Sequence, residues 1–491
     1  MFSKKLFKLF FEHNTKPHKI KYCYIITIVM TKLENGLFIF HRDFRITDNI
    51  GLVEASKRVK KLYTCFIFTP EQVTSKNKYR STNSIQFMIE SLVELQKEIE
   101  NNGGSLMIHY GDTTITVNNL IKHLDIHGVY YNKDYSPYAL QRDEEIEGVC
   151  EKKGIECMNF ADYYLYEPGS VVVSSSGEAY KKYTPFYREV LHRKVEKPDK
   201  KGIKNLSKQT IFSNTTTLDI MFKKYAANND EILVRGGRKN GLKKLIDAGD
   251  KQKQYDEKRD YFKEKTTHLS AYIKFGCVSI REVYHLFRHK FGIHHGLIRE
   301  LIWREFFAHV LYAYPSVVGK SYQPRYRGIK WRKSEVDLKR WQEGNTGFPM
   351  VDACMREMNA TGYMHNRGRM TVASFLIKTL LLDWRLGEQY FAQKLTDYDI
   401  ASNNGNWQGI SGTGVDMKPY FRDMNPWIQS EKFDNDATYI KKWVPELSTV
   451  DAKDIHKWHD KYKKYSSVKY PKPMVDYSER KQAMLDMYKN A

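Results

Sequence analysis

The sequence predicts an N-terminal α/β domain built on a doubly wound parallel sheet, a long connector, and a C-terminal domain made of α-helices. Three observations carry that expectation. Short apolar runs alternate with helical patterns between residues 34 and 165, periodicity weakens over 166–240, and residues 241–491 are rich in helix formers with apolar side chains at helical spacing. Strands alternating with helices need right-handed crossovers, and these produce a parallel sheet with helices on both faces. At about 150 residues per domain, the chain is also too long for one ordinary core.

The strand-like runs are residues 37–40, 62–68, 106–109, 129–131 and 157–160. Between them, Ile85, Met88, Ile89, Leu92, Leu95 and Ile99 fall on one helix face, which Asn102, Gly103 and Gly104 bring to a stop. A second helix is expected over 139–153. The connector, 166–240, carries SSSG, NTTT and KPDKKGIKN clusters and reads as a surface segment with some helix in it. Beyond it, helices are expected over 297–310, 352–360 and 364–382. Residues 1–33 are Lys-rich with one acid, Glu12, and read as a disordered basic extension that does no chemistry.

Lys and Arg number 80 against 58 Asp and Glu, a net charge of +22. Such a field attracts polyanions, nucleic acid first and anionic membrane second; a Lys-rich solubility bias gives the same total. The six cysteines (Cys23, Cys65, Cys150, Cys157, Cys277, Cys354) have neither C-x-x-C nor paired-ligand spacing. They suit a reducing compartment and argue against a disulfide framework or a metal site. The longest apolar stretch, 22–30, is too short to span a bilayer.

The chemistry is written in five segments. FIFHRDFRITDN (38–49) is a strand leaving a parallel sheet at the end where ligands bind. Thr266, Thr267 and Ser270, with His268 and Leu269 among them, put hydroxyls at a helix start, which suits a simple cap or a pyrophosphate. In ELIWREFF (300–307), Glu300, Trp303, Arg304 and Phe307 share a helix face, a Trp between an acid and a base. In GYMHNRGRM (362–370), Asn366, Arg369 and Met370 present together at i, i+3 and i+4. DYDIASNNGNWQGISGTG (397–414) sets acids and amides before a Gly-rich turn.

In this order the segments resemble the photolyase/cryptochrome family over about residues 36–480, most closely its class I enzymes for cyclobutane pyrimidine dimers. The resemblance implies an FAD cofactor, reduced in the active form, contacted by Tyr255, Thr266, Thr267, His268, Leu269, Ser270, Arg369, Asp397, Tyr398, Asp399 and Asn403. It implies a salt bridge between Asp397 and Arg369 and places Asn403 opposite flavin N5, where plant cryptochromes carry Asp and animal ones Cys. A flipped-out lesion would meet Glu300, Trp303, Asn366 and Met370, with Arg259, Arg304, Arg367 and Gly409 completing the DNA contacts. Trp407, Trp384 and Trp331 stand at the positions of an electron-hopping chain from flavin to surface.

Enzymes for (6-4) products carry histidines where this chain has Asn366 and Met370, so the resemblance implies the cyclobutane branch. Its rivals are a blue-light receptor without repair activity, a (6-4) enzyme, and a single-strand-preferring enzyme. Departures from the family pattern are Gly409 in place of a Trp of the lesion pocket, and Leu297 and Tyr363 where some bacterial relatives have Trp. NKDYSPYALQRDEE lacks the folate-contacting Asn-Glu pair of one relative, leaving the antenna open between folate, deazaflavin and flavin. The expected partner is DNA containing pyrimidine dimers, without membrane or obligatory protein partner, for a monomer found wherever the DNA is.

Overall fold

The computed structural model describes residues 32–208, 216–416 and 419–491. The basic extension expected over 1–33 lies outside these residues except for its last two. Residues 33–491 form one compact unit.

All five expected runs are strands, each longer than expected at one end or both: β1 (Leu33–Phe40), β2 (Val59–Phe68), β3 (Leu106–Tyr110), β4 (Gly128–Asn132) and β5 (Glu156–Phe160). They pair in parallel in the order β3-β2-β1-β4-β5. The period of two along a strand, with both faces of the sheet covered, explains why their central stretches are apolar at successive positions. Phe38, Phe40, Phe66 and Phe68 enter a core on one face, and Leu37, Ile39, Cys65 and Ile67 a core on the other. Connections diverge between β1 and β4, which opens a crevice at the carboxyl ends of these strands.

The crossover α1 (Thr82–Asn101) follows the expected apolar seam, starts on a cap from Ser81 to the Ser84 amide, and gives way to Gly103 at φ +84°. The second expected helix, α2, runs Pro137–Lys153. The connector differs from a purely surface segment. Its helix α3 (Tyr183–Leu191) buries Tyr183, Phe186 and Val190 at helical spacing, in the same core as Ile302 and Phe306.

In the helical part, α4 (Ser270–Lys274), α5 (Ile280–Phe291), α6 (Gly296–Ala313), α7 (Pro349–Thr361), α8 (Asn366–Ser374), α9 (Trp384–Lys394), α10 (Ile400–Ser411) and α11 (Pro426–Phe433) surround the site. The single helix expected over 364–382 is shorter. α8 ends at Ser374 and passes into a π-helical turn, Phe375–Thr379, whose residues are all buried, before Leu382 bridges to Arg332.

A buried polar knot ties the sheet to the helices. Asp162, just past β5, takes Arg45 at 2.6 Å and Arg281 of α5 at 2.7 Å. Arg281 also reaches Asp48 at 3.0 Å, and Asp48 accepts from the Ser279 hydroxyl.

Candidate active site

Helix α4 is short, and its cap residue Leu269 makes no side-chain cap, so the expected hydroxyl cap is absent. Its first amides lie instead beside a polar corner. The Ser270 hydroxyl donates to Asp397 at 2.6 Å, and Arg369 of α8 meets the same carboxylate at 2.9 Å, which is the expected salt bridge. Burial pushes the Asp397 pKa up, but Arg369, the Ser270 hydroxyl and Lys274 together outweigh it and hold the group below its ordinary value.

Thr266 shares a hydrogen bond with the Tyr363 phenol at 3.1 Å, and the Thr267 hydroxyl accepts from the Leu269 amide at 3.4 Å. His268 sits in left-handed backbone at φ +51° with its ring edge-on to Tyr363, and burial lowers its pKa to about 4. Its Nδ1 is buried without a hydrogen-bond partner. Uncapped amides, hydroxyls and an orphaned ring nitrogen around one corner fit a diphosphate-bearing cofactor.

Across from this corner, α10 begins at Asp399, which caps the Ser402 amide at 3.0 Å. Arg42, leaving β1, reaches Asp399 at 3.2 Å and Asp134 at 2.8 Å. Asn403 donates to the Glu388 carbonyl at 3.2 Å, and Asn404 to the Glu388 carboxylate at 3.2 Å. Burial raises the Glu388 pKa to about 7.

A cavity of about 680 Å³ adjoins this corner, lined by Arg42, Arg80, Arg142 and Lys274 together with Tyr79 and Tyr398. Burial lowers the Lys274 pKa to about 8. Arg42, Asp134, Lys274 and Glu388 were not singled out in the sequence, because no spacing links residues from β1, β4 and two helices.

A second cluster joins α6 to α8. Arg259 meets Glu300 at 2.5 Å and its guanidinium lies 5.7 Å from the Tyr255 ring centre. The next residue, Asp260, ion-pairs with Arg367, so two adjacent residues tie α6 to α8. Arg367 also lies over Phe433 of α11. On α8 the Asn366 amide is 3.9 Å from Met370 Sδ, a loose contact that keeps the two side chains together.

Trp303 is half-buried, stacked on Tyr183 and near Phe307. Arg304 departs from the expectation of a DNA contact. Its side chain turns inward over the Tyr164 ring at 4.3 Å and pairs with buried Glu305 at 3.3 Å, because the next position on the helix swings away from the Trp303 rim. A β-carbon at Gly409 would meet no atom within 4 Å.

The three tryptophans differ in depth. Trp407 and Trp384 are buried, while Trp331 is half-buried and 6.0 Å from the Tyr488 ring.

An α/β crevice joined to a helical domain with an ionic cradle and an aromatic rim defines a class of proteins built to hold a diphosphate-bearing cofactor beside a stacking surface. Residues 37–202 match the model for DNA photolyase, and residues 297–490 match the FAD binding domain of DNA photolyase. The deoxyribodipyrimidine photo-lyase of Halobacterium salinarum is 34% identical over 93% of this chain and 99% of its own length. An archaeal photolyase from Sulfolobus tokodaii, crystallised with two FAD molecules, superposes with a TM-score of 0.84 at 38% identity, covering 93% of this chain and all of the other. A class III photolyase from Agrobacterium tumefaciens gives 0.85 at 31% identity, over 94% and 99% of the two chains. The chain belongs to the DNA photolyase/cryptochrome family.

Proposed function

We propose that the chain is a light-driven repair enzyme of the class I type that splits cyclobutane pyrimidine dimers in DNA. The observation that carries this reading is α8. It places Arg369 on the Asp397 cradle and holds Asn366 and Met370 within one turn of it, about 5 Å along the axis. A cofactor in the cradle and a base at the rim would then be neighbours across a single helix.

FAD would be held by Tyr255, the 266–270 segment, Arg369, Asp397, Tyr398, Asp399 and Asn403. When bound and reduced, it supplies an electron under illumination and recovers it after the cyclobutane ring opens, without net redox change. The chain's own residues bind and orient. Trp303 offers a stacking face to a flipped-out dimer, Asn366 gives a donor and an acceptor to a base edge, and Met370 gives a soft apolar contact. Glu300, whose pKa is raised by burial against the opposing charge of Arg259, would hydrogen-bond a pyrimidine edge. The side-chain amide at Asn403 favours repair over a signalling cryptochrome, and Asn366 with Met370 favours cyclobutane dimers over (6-4) products.

The 680 Å³ cavity would take a light-harvesting chromophore of flavin type. Six basic side chains of the lining, Arg42, Lys76, Lys78, Arg80, Arg142 and Lys274, suit its phosphate, and tyrosines such as Tyr79, Tyr135 and Tyr398 its ring. The second FAD of the Sulfolobus relative supports that choice.

The deciding experiment illuminates FAD-loaded, reduced protein with oligonucleotides containing either lesion. Loss of cyclobutane dimers with (6-4) products untouched is expected. Repair of (6-4) products would overturn the substrate, and a flavin-loaded protein that repairs neither would overturn the enzymatic reading.

A further inference from the structure

Trp303 is not a free ring. Tyr183, the first residue of α3, lies face to face on it, with ring centres 3.6 Å apart and planes 4° from parallel. Protein aromatic pairs usually sit offset or edge-on at about 4.5–7 Å, so this overlap is unusually complete. Tyr183 is itself pinned. Its hydroxyl donates to the Arg299 carbonyl at 3.0 Å, and its amide donates to the Asp416 carboxylate at 3.0 Å. Its α3 neighbours Phe186 and Val190 are buried in the shared core. A ring held at hydroxyl, amide and helix is a wall rather than a lid.

We propose that Tyr183 is a positioning residue for lesion recognition: it fixes the plane of Trp303 so that the part of the ring left uncovered by Tyr183 and Phe307 is presented, already ordered, to an extruded pyrimidine dimer. The inference rests on the reading of Trp303 as the stacking surface. An unsupported indole would have to give up its rotamer freedom on binding, a cost that adds to the binding free energy and so raises the dissociation constant. The support matters more in this chain because Gly409 contributes no ring to the pocket and leaves open space where its β-carbon would be. The connector between the two halves thereby takes part in recognition.

The test uses full-length, FAD-loaded protein as Tyr183→Phe, Tyr183→Leu, Tyr183→Ala, Trp303→Ala and the Tyr183→Ala/Trp303→Ala double variant. Dissociation constants are measured at one salt concentration for a dimer-containing and an undamaged duplex, with the repair yield per absorbed photon at saturating substrate. Tyr183→Ala and Tyr183→Leu are expected to weaken lesion binding by about two- to tenfold, the range of an aromatic pair. Undamaged DNA and the saturated yield should change little, and Tyr183→Phe, which keeps the ring but loses its hydroxyl anchor, should weaken lesion binding less than Tyr183→Ala. In the Trp303→Ala background Tyr183→Ala should have no further effect. Should Tyr183→Ala prove insoluble, Tyr183→Leu, which leaves a smaller cavity, decides alone. Tighter lesion binding would make Tyr183 a plug, and unchanged binding or equal losses on both duplexes would remove its role. If Trp303→Ala itself leaves lesion affinity intact, the stacking reading of Trp303 fails instead.

Discussion

Gly409 and Trp407 are two residues apart on α10 and face opposite demands. Nothing stands within 4 Å of a β-carbon at Gly409, so a large side chain there would extend into open space rather than into the core. Gly409→Trp is therefore expected to fold normally and to tighten binding to a lesion in duplex DNA by about tenfold, near the low end of base–aromatic stacking. Competition binding at fixed salt measures this, and weaker binding would mean that the open space is needed by the lesion itself. Trp407 is buried, with Phe391 edge-on at 4.9 Å. Trp407→Phe should cost no more than about 3 kcal/mol of stability. It should slow photoreduction of oxidised flavin while leaving repair by pre-reduced enzyme intact. Flash photolysis separates the two, and a parallel loss of repair would give Trp407 a structural role only.

Helix α10 is wedged between α6 and α9, and glycine makes both contacts possible. A β-carbon at Gly405 would come within 2.1 Å of the Phe307 ring on α6. One at Gly387 on α9 would come within 2.1 Å of the Trp407 ring. Rings backed by a packed core cannot retreat as a flexible tip would. Gly405→Ala should destabilise by about 1–3 kcal/mol, the usual cost of overpacking, and disturb Trp303 through Phe307. Urea unfolding reads the first effect and lesion affinity the second; a neutral result would show that α6 and α10 can slide apart. The Phe275–Gly276 corner is similarly tight, since a side chain at Gly276 would strike the backbone of Arg42 and Asp43.

At the scale of the whole molecule, the knot around Asp162 joins the sheet to α5. Burial alone would raise the Asp162 pKa, but Arg45 and Arg281 hold it below the ordinary carboxylate value. A depressed folded-state pKa contributes stability that is fully present above the unfolded value, about 3.9, and is lost as pH falls through the folded one. Asp162→Asn should cost about 3–5 kcal/mol near neutral pH, because buried Arg45 loses its paired carboxylate and Arg281 one of its two. That deficit should shrink below about pH 4 as wild-type Asp162 is protonated. Unfolding curves between pH 3 and 7 test it; a deficit that stays constant with pH would place the cost in packing rather than charge.

Much of the fold was legible because its signals are local. The five strands and the α1 seam follow from backbone periodicity, and the Arg369–Asp397 pair and the α8 grouping of Asn366 with Met370 follow from family motifs read at helical spacing. Motif order along the chain carried the family. What tertiary packing alone decided are the meetings of residues far apart in sequence: Tyr183 on Trp303, Arg42 between Asp134 and Asp399, and Asp162 between two arginines. Tertiary structure also turned Arg304 inward and broke the helix after Ser374, since a side chain's direction depends on which neighbour fills the space beside it. Periodicity shows which face of an element is buried, but the partner on that face is chosen only when the chain closes on itself.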